Sequence, residues 1–264
     1  MIKQILQFIF IMNFACMVAQ THRFVYKLDY QPDSLDVGSK KTEYFILTHS
    51  KTHSTFLSLN LHKRDSIAST LQKDFDRGTL TRIDATKMPK TDFKYQVLKT
   101  NDSVFVKQRI DRGNFYYVET TPLHWKINND KVASIQGMKA RYAEVDFSGR
   151  HFGAWFSDEI PVFDGPYIFK NLPGLILKIE DSKKHYSFEL VQSYTVEDAG
   201  LELPKKILEQ AKQTSKKKFY EAIESEKDNM INALKEMGGV VSIEQERNYH
   251  QRQKKKNNPL ELKP

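Results

Sequence analysis

The chain has 264 residues, a net charge of +8, 28% charged residues and a single cysteine, Cys16. That length suffices for one domain with its own core. One thiol excludes an internal disulfide framework or a cysteine-built metal centre.

The first twenty residues read as a secretory signal peptide. Lys3 gives a positive start, residues 5–12 form an apolar run broken by Gln7, and Met17-Val18-Ala19-Gln20 precedes a polar restart. This is the order of a cleavable signal, with cleavage expected near Ala19 or Gln20. The apolar run is too short for a membrane span, which needs about 20 residues. Cys16 lies inside the signal, and Asn13-Phe14-Ala15 is a poor approach to a lipid-modified cysteine. The expected destination is therefore the periplasm or outer envelope, or secretion, with no lipid anchor and no transmembrane span in the mature chain.

Alternation follows. Phe24, Tyr26, Leu28 and Tyr30 share one face of a strand, and residues 44–47 and 55–61 are further strand candidates. Ile67, Leu71 and Phe75 recur at helical spacing and predict a short helix over 64–75. Residues 93–98, 104–110 and 115–118 then alternate, separated by Asn101-Asp102-Ser103 and Asp111-Arg112-Gly113-Asn114. Asn, Asp and Gly accept the backbone angles of tight turns. Strands also read from 125–127, 142–147, 151–156, 175–179 and 186–191. Such spacing predicts an antiparallel meander rather than βαβ units.

At Pro204 the period changes. Ile207, Leu208, Ala211, Phe219, Ile223, Ile231 and Leu234 recur every three to four residues until Gly238-Gly239. This predicts an amphipathic helix over 201–240, with a break or bend near Ser215, docked on the open face of the sheet. Residues 241–264 read as a basic polar tail and are expected to be disordered. Residues 205–256 hold 13 Lys/Arg against 8 Asp/Glu, so most of the charge excess lies there. Its runs, Lys216-Lys217-Lys218 and Lys254-Lys255-Lys256, lack interleaved aromatics and suit a solvated face; no nucleic-acid partner is expected. The fold class expected is mainly β, of the β-rich α+β type: a curved antiparallel sheet or half-barrel over 21–200, with a C-terminal amphipathic helix.

Residues 149–176 are the unusual segment, where glycines and prolines punctuate apolar residues. Pro fixes φ and Gly takes conformations closed to other residues, so this chain turns repeatedly while pressed on a core. Pro173-Gly174 suits the centre of a type II turn. The run Asn171-Leu172-Pro173-Gly174-Leu175-Ile176 resembles the signature of the GLPGLI family, an exported Bacteroidetes family of unknown activity. Gly149-Arg150, Ala154-Trp155-Phe156, Glu159-Ile160-Pro161 and Gly165-Pro166 stand in the family's order ahead of it. Tyr30 with Pro32-Asp33-Ser34, and Trp125-Lys126-Ile127, also look like family positions. The resemblance spans 24–193 and omits the basic helical tail. Asn171 replaces the first glycine, a mild departure because Asn tolerates the left-handed region. Family members carry a cysteine near the position of Ala140, which is absent here. The resemblance implies an exported β domain and no mechanism.

Three groups are chemically notable. Asp158, Glu159 and Asp164 lie near Arg150 and His151, and paired carboxylates at a set separation can hydrolyse glycosides; the alternative is that they cap turns and pair with Arg150. His49 and His53 are four apart, but Ser50-Lys51-Thr52 between them reads as a turn, which makes a weak metal site. Trp125, Trp155, Tyr167 and Phe169 would line an apolar pocket on a curved sheet, or simply fill its core. No phosphate loop, nucleophile elbow or dinucleotide fingerprint is present, and no cofactor is implied. The leading expectation is a non-catalytic envelope module for a hydrophobic ligand or an envelope partner. The alternative is a hydrolase using the carboxylates of 149–176.

Overall fold

The computed structural model describes residues 21–79, 88–197 and 201–263; the expected signal peptide lies outside them. The fold is mainly β, one large curved sheet that does not close on itself. Strands β1 (Thr21–Tyr30), β2 (Lys41–His49), β3 (His53–Ser58), β4 (Tyr95–Thr100), β5 (Val104–Ile110) and β6 (Gly113–Glu119) form a first antiparallel run. Strands β7 (Lys126–Ile135), β8 (Met138–Phe147), β9 (Arg150–Ser157), β10 (Leu175–Asp181) and β11 (Tyr186–Val196) form a second. The runs join where β1 pairs antiparallel with β11, so β6 and β7 lie at opposite sides of the sheet.

That topology forces the curvature. Laid flat, the ten steps from β6 to β7 would span about 48 Å at the usual strand spacing. The link between them is residues 120–125, which extends over about 25 Å at most. The sheet must therefore bend until its two sides approach, and the bend creates a concave interior. Phe24, Tyr26 and Leu28 of β1, Phe45 and Leu47 of β2, Phe56 of β3, and Phe188 and Leu190 of β11 fill it, all buried.

The segment between β9 and β10, residues 158–174, folds back into that interior. Asp164 bridges Lys170 antiparallel, and the tip between them delivers Tyr167, Ile168 and Phe169 to the core. Phe169 meets Phe152 edge-to-face at 4.9 Å between centroids. Pro161 and Pro173 both sit at the centre of tight three-residue turns: Val162 N–H donates to Ile160 O at 2.7 Å, and Gly174 N–H to Leu172 O at 2.8 Å. The expected type II turn at Pro173-Gly174 is therefore replaced by a γ-turn. The reason is that Leu175 N–H, which a type II turn would engage, is taken by Ile160 O across the segment at 3.1 Å. Asn171 adopts φ 70°, the left-handed angle.

Gly174 has φ 140°, and a Cβ there would stand 2.1 Å from the Ser157 carbonyl oxygen. Gly174→Ala is expected to destabilise the fold by about 3 kcal/mol, combining backbone strain with overlap against main chain. Denaturant unfolding of the two proteins checks this; a loss below about 1 kcal/mol, the scale of an ordinary Gly-to-Ala change, would sink the argument.

Helical segments differ from expectation in three ways. The strand read over 55–61 stops at Ser58, whose hydroxyl caps Asn60 and Leu61 N–H and starts α1 (Leu59–Asp76). The single helix expected over 201–240 is α2 (Pro204–Glu209), a two-residue strand β12 (Lys212–Gln213) parallel to β6, and α3 (Lys216–Glu236). Ser215 is the cap of α3, which explains the thinning of the apolar stripe there. Phe219 of α3 packs edge-to-face on Tyr117 of β6 at 5.0 Å, fixing the helix at that side of the sheet. The tail expected to be disordered instead forms α4 (Ile243–Lys254), begun by a capping box at Ser242 and Gln245. Beyond it Asn258, Leu260 and Glu261 are buried. Polarity misled the reading of these residues, because partners such as Arg150 and Gln31 lie more than a hundred positions upstream.

Candidate functional site

Between the concave face and helices α3 and α4 lies a cavity of about 320 Å³, within the range of small-molecule sites. Tyrosines dominate its walls. Alternation points Tyr30 inward from the end of β1 and Tyr95 from the start of β4; Tyr186 opens β11, Tyr167 is the tip of the 158–174 segment, and Tyr220 and Tyr249 come from α3 and α4. Tyr30 and Tyr186 stack at 6.2 Å, and Tyr95 leans on Tyr167 at 5.2 Å.

Most of the phenols have fixed partners. Tyr30 donates to Asp92 at 2.8 Å, Tyr186 to Asn258 O at 2.6 Å, Tyr249 to Lys227 O at 2.7 Å, and Tyr167 to Glu261. The Tyr95 hydroxyl is buried and has no hydrogen-bond partner among the described residues. Burial pushes the phenols of Tyr95, Tyr167 and Tyr220 well above their usual pKa, and the Glu261 charge adds to it. They are hydrogen-bond donors at neutral pH and not bases.

The acids lining the cavity are already committed. Asp92 is held by Lys41 at 3.0 Å and Lys256 at 2.6 Å, and burial, which would raise its carboxyl, is outweighed by those lysines and Tyr30. Glu261 pairs with Lys216 at 2.6 Å, and Glu226 accepts Asp111 N–H at 2.9 Å. Among the described residues the lining holds no His, Ser or Cys. The arrangement offers ring faces and hydrogen-bond donors, the chemistry of binding.

The carboxylates singled out in the sequence are not brought together. Asp158 is exposed and reaches Arg141 at 3.3 Å. Glu159 accepts the Lys139 N–H at 2.8 Å, tying the end of β9 to the start of β8. Asp164 is buried with the Lys99 ammonium, Ser54 Oγ at 2.5 Å, His49 Nδ1 at 3.2 Å and Gly165 N–H at 2.8 Å. The three carboxylates thus have separate partner sets, with Asp158 exposed and Asp164 buried. Arg150 pairs with none of them; its carboxylate is Asp181, at 3.2 Å. Ser54 and His49 both address Asp164 and do not form a nucleophile–base couple.

His49 and His53 also diverge. His53 is buried with Nδ1 near Thr52 Oγ1 at 2.9 Å, and burial lowers its imidazole. Among the described residues no group of three or more His, Cys, Asp or Glu is placed to hold a metal ion.

Trp155 lies on the outer face of β9, against Tyr142 at 5.0 Å with the Lys131 ammonium 5.6 Å from its ring. Trp125 donates to Lys170 O at 2.9 Å and leans on Phe169. The expected pocket of Trp125, Trp155, Tyr167 and Phe169 therefore does not form; of the four, only Tyr167 lines the cavity. Phe152, Ala154 and Phe156 take the inner face of β9, and alternation turns Trp155 away from it. The other resemblance positions serve architecture. Leu172 and Leu175 are buried, Gly165 packs under Ile176, and Pro166 turns the chain so that its carbonyl accepts Phe169 N–H at 3.1 Å. The cavity's tyrosines were visible as strand residues, but nothing local marks them as converging.

A family model described as "Protein of unknown function (Porph_ging)" matches residues 115–178, from β6 into β10. The match carries that description and not the GLPGLI name. The sequence matches no curated protein. Among solved structures the chain is similar to PNGF-II in its P21 and C2 space groups, at 12% identity, with TM-scores of 0.53 and 0.51. Each comparison covers 79% of this chain and 34% of the other, so the chain spans about a third of the length of PNGF-II. At this identity the likeness concerns the fold alone.

Proposed function

We propose that this protein is an exported, non-catalytic binding module of the cell envelope that holds a small, ring-bearing, mostly apolar molecule in its tyrosine-lined cavity. The buried, unpartnered Tyr95 hydroxyl carries the reading. A buried donor without an acceptor costs about 1–3 kcal/mol, and an acceptor atom on a ligand would satisfy it. The ring faces of Tyr30, Tyr186 and Tyr220 supply the contact area around it. Export rests on the order of residues 1–20 and is tested by sequencing the N-terminus of the mature protein, which should begin near residue 20 or 21.

The binding test has two arms. Native mass spectrometry of the full chain recovered from its own envelope should show an added mass that is lost on unfolding. In the second arm, 8-anilinonaphthalene-1-sulfonate should bind the emptied protein saturably at one site, and Met230→Trp, which fills the cavity from α3, should weaken it about tenfold or more. Equal dye binding by a folded Met230→Trp protein would overturn the assignment.

A further inference from the structure

Residues 257–263 meet the concave face as an extended peptide meets a receptor. They form neither helix nor strand, yet Asn258, Leu260 and Glu261 are buried. Donors from the sheet read their backbone: Arg150 Nε donates to Leu260 O at 2.9 Å, Arg150 Nη2 to Pro259 O at 2.6 Å, and Tyr186 OH to Asn258 O at 2.6 Å. Two side chains are read individually. Asn258 Oδ1 accepts from Arg150 at 2.6 Å while its Nδ2 donates to Gln31 O at 2.6 Å. Glu261 accepts from Lys216 at 2.6 Å, Ser148 at 2.9 Å, Tyr117 at 3.4 Å and Tyr167. Ser148 O receives both Leu262 and Lys263 N–H, at 2.9 and 3.1 Å.

The tether to this segment is slight. Helix α4 buries no residue of its own, and it joins α3 through Gly238-Gly239, with Gly238 at φ 83°. The groove is thus built by β1, β6, β8, β9, β11 and α3, and the peptide arrives on an arm.

We propose that this groove is a peptide-recognition site for extended segments of the pattern Asn-Pro-Leu-Glu, with residues 257–263 as its resident in-chain ligand. A partner peptide with an Asn, a Pro-Leu step and a Glu three residues after the Asn would compete for it. The groove uses Arg150 as a fork for carbonyls and Asn, and Lys216 with three hydroxyls for the Glu, which are charge-assisted contacts of high directional demand. The inference rests on the contacts of residues 257–263 and not on a small molecule, although Asn258, Pro259, Leu260 and Glu261 also wall the neighbouring cavity.

The test inserts a protease site after Lys255 in the full chain and cleaves it after folding. The nicked protein should keep its strand circular dichroism and exchange the freed segment for a fluorescein-labelled Asn-Asn-Pro-Leu-Glu-Leu-Lys peptide, read by anisotropy. A peptide carrying Glu261→Ala should bind about tenfold more weakly or worse, and the uncut protein should not bind either. Arg150→Lys in the nicked chain should weaken the native peptide as well. Unfolding on nicking, failure to exchange, or equal affinity for the native and Ala peptides would each overturn the proposal.

Discussion

Replacing Arg150 with methionine is expected to lower the unfolding free energy by about 3–5 kcal/mol, the range for breaking a buried ion pair from one side. For a chain of this size that corresponds to a fall in Tm of roughly 10 °C. The guanidinium and its Asp181 partner are each 2% exposed, so water cannot replace what the mutation removes. Asp181 keeps the Tyr186 N–H at 2.6 Å and the Lys183 N–H at 3.3 Å, which limits the loss. The remaining cost falls on Asn258, Pro259 and Leu260, whose acceptors lose their donor. Hydrogen exchange should therefore report loss of protection at 258–263 beyond the global change. Unchanged exchange there, with stability within about 1 kcal/mol of the parent, would show that Arg150 does not hold the segment.

Lys99→Met is expected to be as costly, about 3–5 kcal/mol near pH 7, and to reverse the acid response of the fold. Burial alone would raise the Asp164 carboxyl, but the Lys99 ammonium, with His49 and Ser54, outweighs it and holds the carboxyl below the usual carboxylate range. Its folded pKa therefore lies under the unfolded value of about 3.9. The stability this provides is fully present above that value and is lost as pH falls below about 4. Asp164→Asn should flatten that part of the acid limb. Asp92, whose carboxyl is also held low, contributes the same sign, so Asp92→Asn is the necessary companion. Without the Lys99 ammonium, burial dominates Asp164 and its folded pKa rises above 3.9. The variant should then gain stability as pH falls from 7 to 5. Urea midpoints at pH 7, 5 and 3 decide the matter; parallel curves for parent and Lys99→Met would refute it.

Both substitutions strike contacts that hold a loop or an extended segment in a curved sheet, and neither was marked in the sequence. Lys99 lies one residue beyond the strand read over 93–98, yet it is buried because β4 runs on to Thr100 and places it under the 158–174 segment, where its ammonium also donates to Gly165 O at 2.6 Å. Arg150 was visible through its place beside Gly149, although its expected partners were the neighbouring carboxylates. Its true partners come from 31 and from 108 to 110 positions away. Asp158 and Glu159 precede the γ-turn at Pro161 and Asp164 follows it, so Asp164 alone is carried into the interior.

The sequence by itself placed most of the strands, because alternation and turn residues are local properties written every ten positions or so; it read only the start of β7 and carried β3 past its end at Ser58. It also determined the change to helical period at Pro204 and the position of the turn-rich segment. Only the tertiary structure decided that the two meanders meet through β1 and β11, and hence that the sheet must curve. It alone placed six tyrosines from strands, loop and helices around one cavity, and it drew a polar tail into the core. The physical reason is that local periodicity specifies which face of an element is apolar, while the identity of what covers that face depends on strand order and on charge pairs between distant residues.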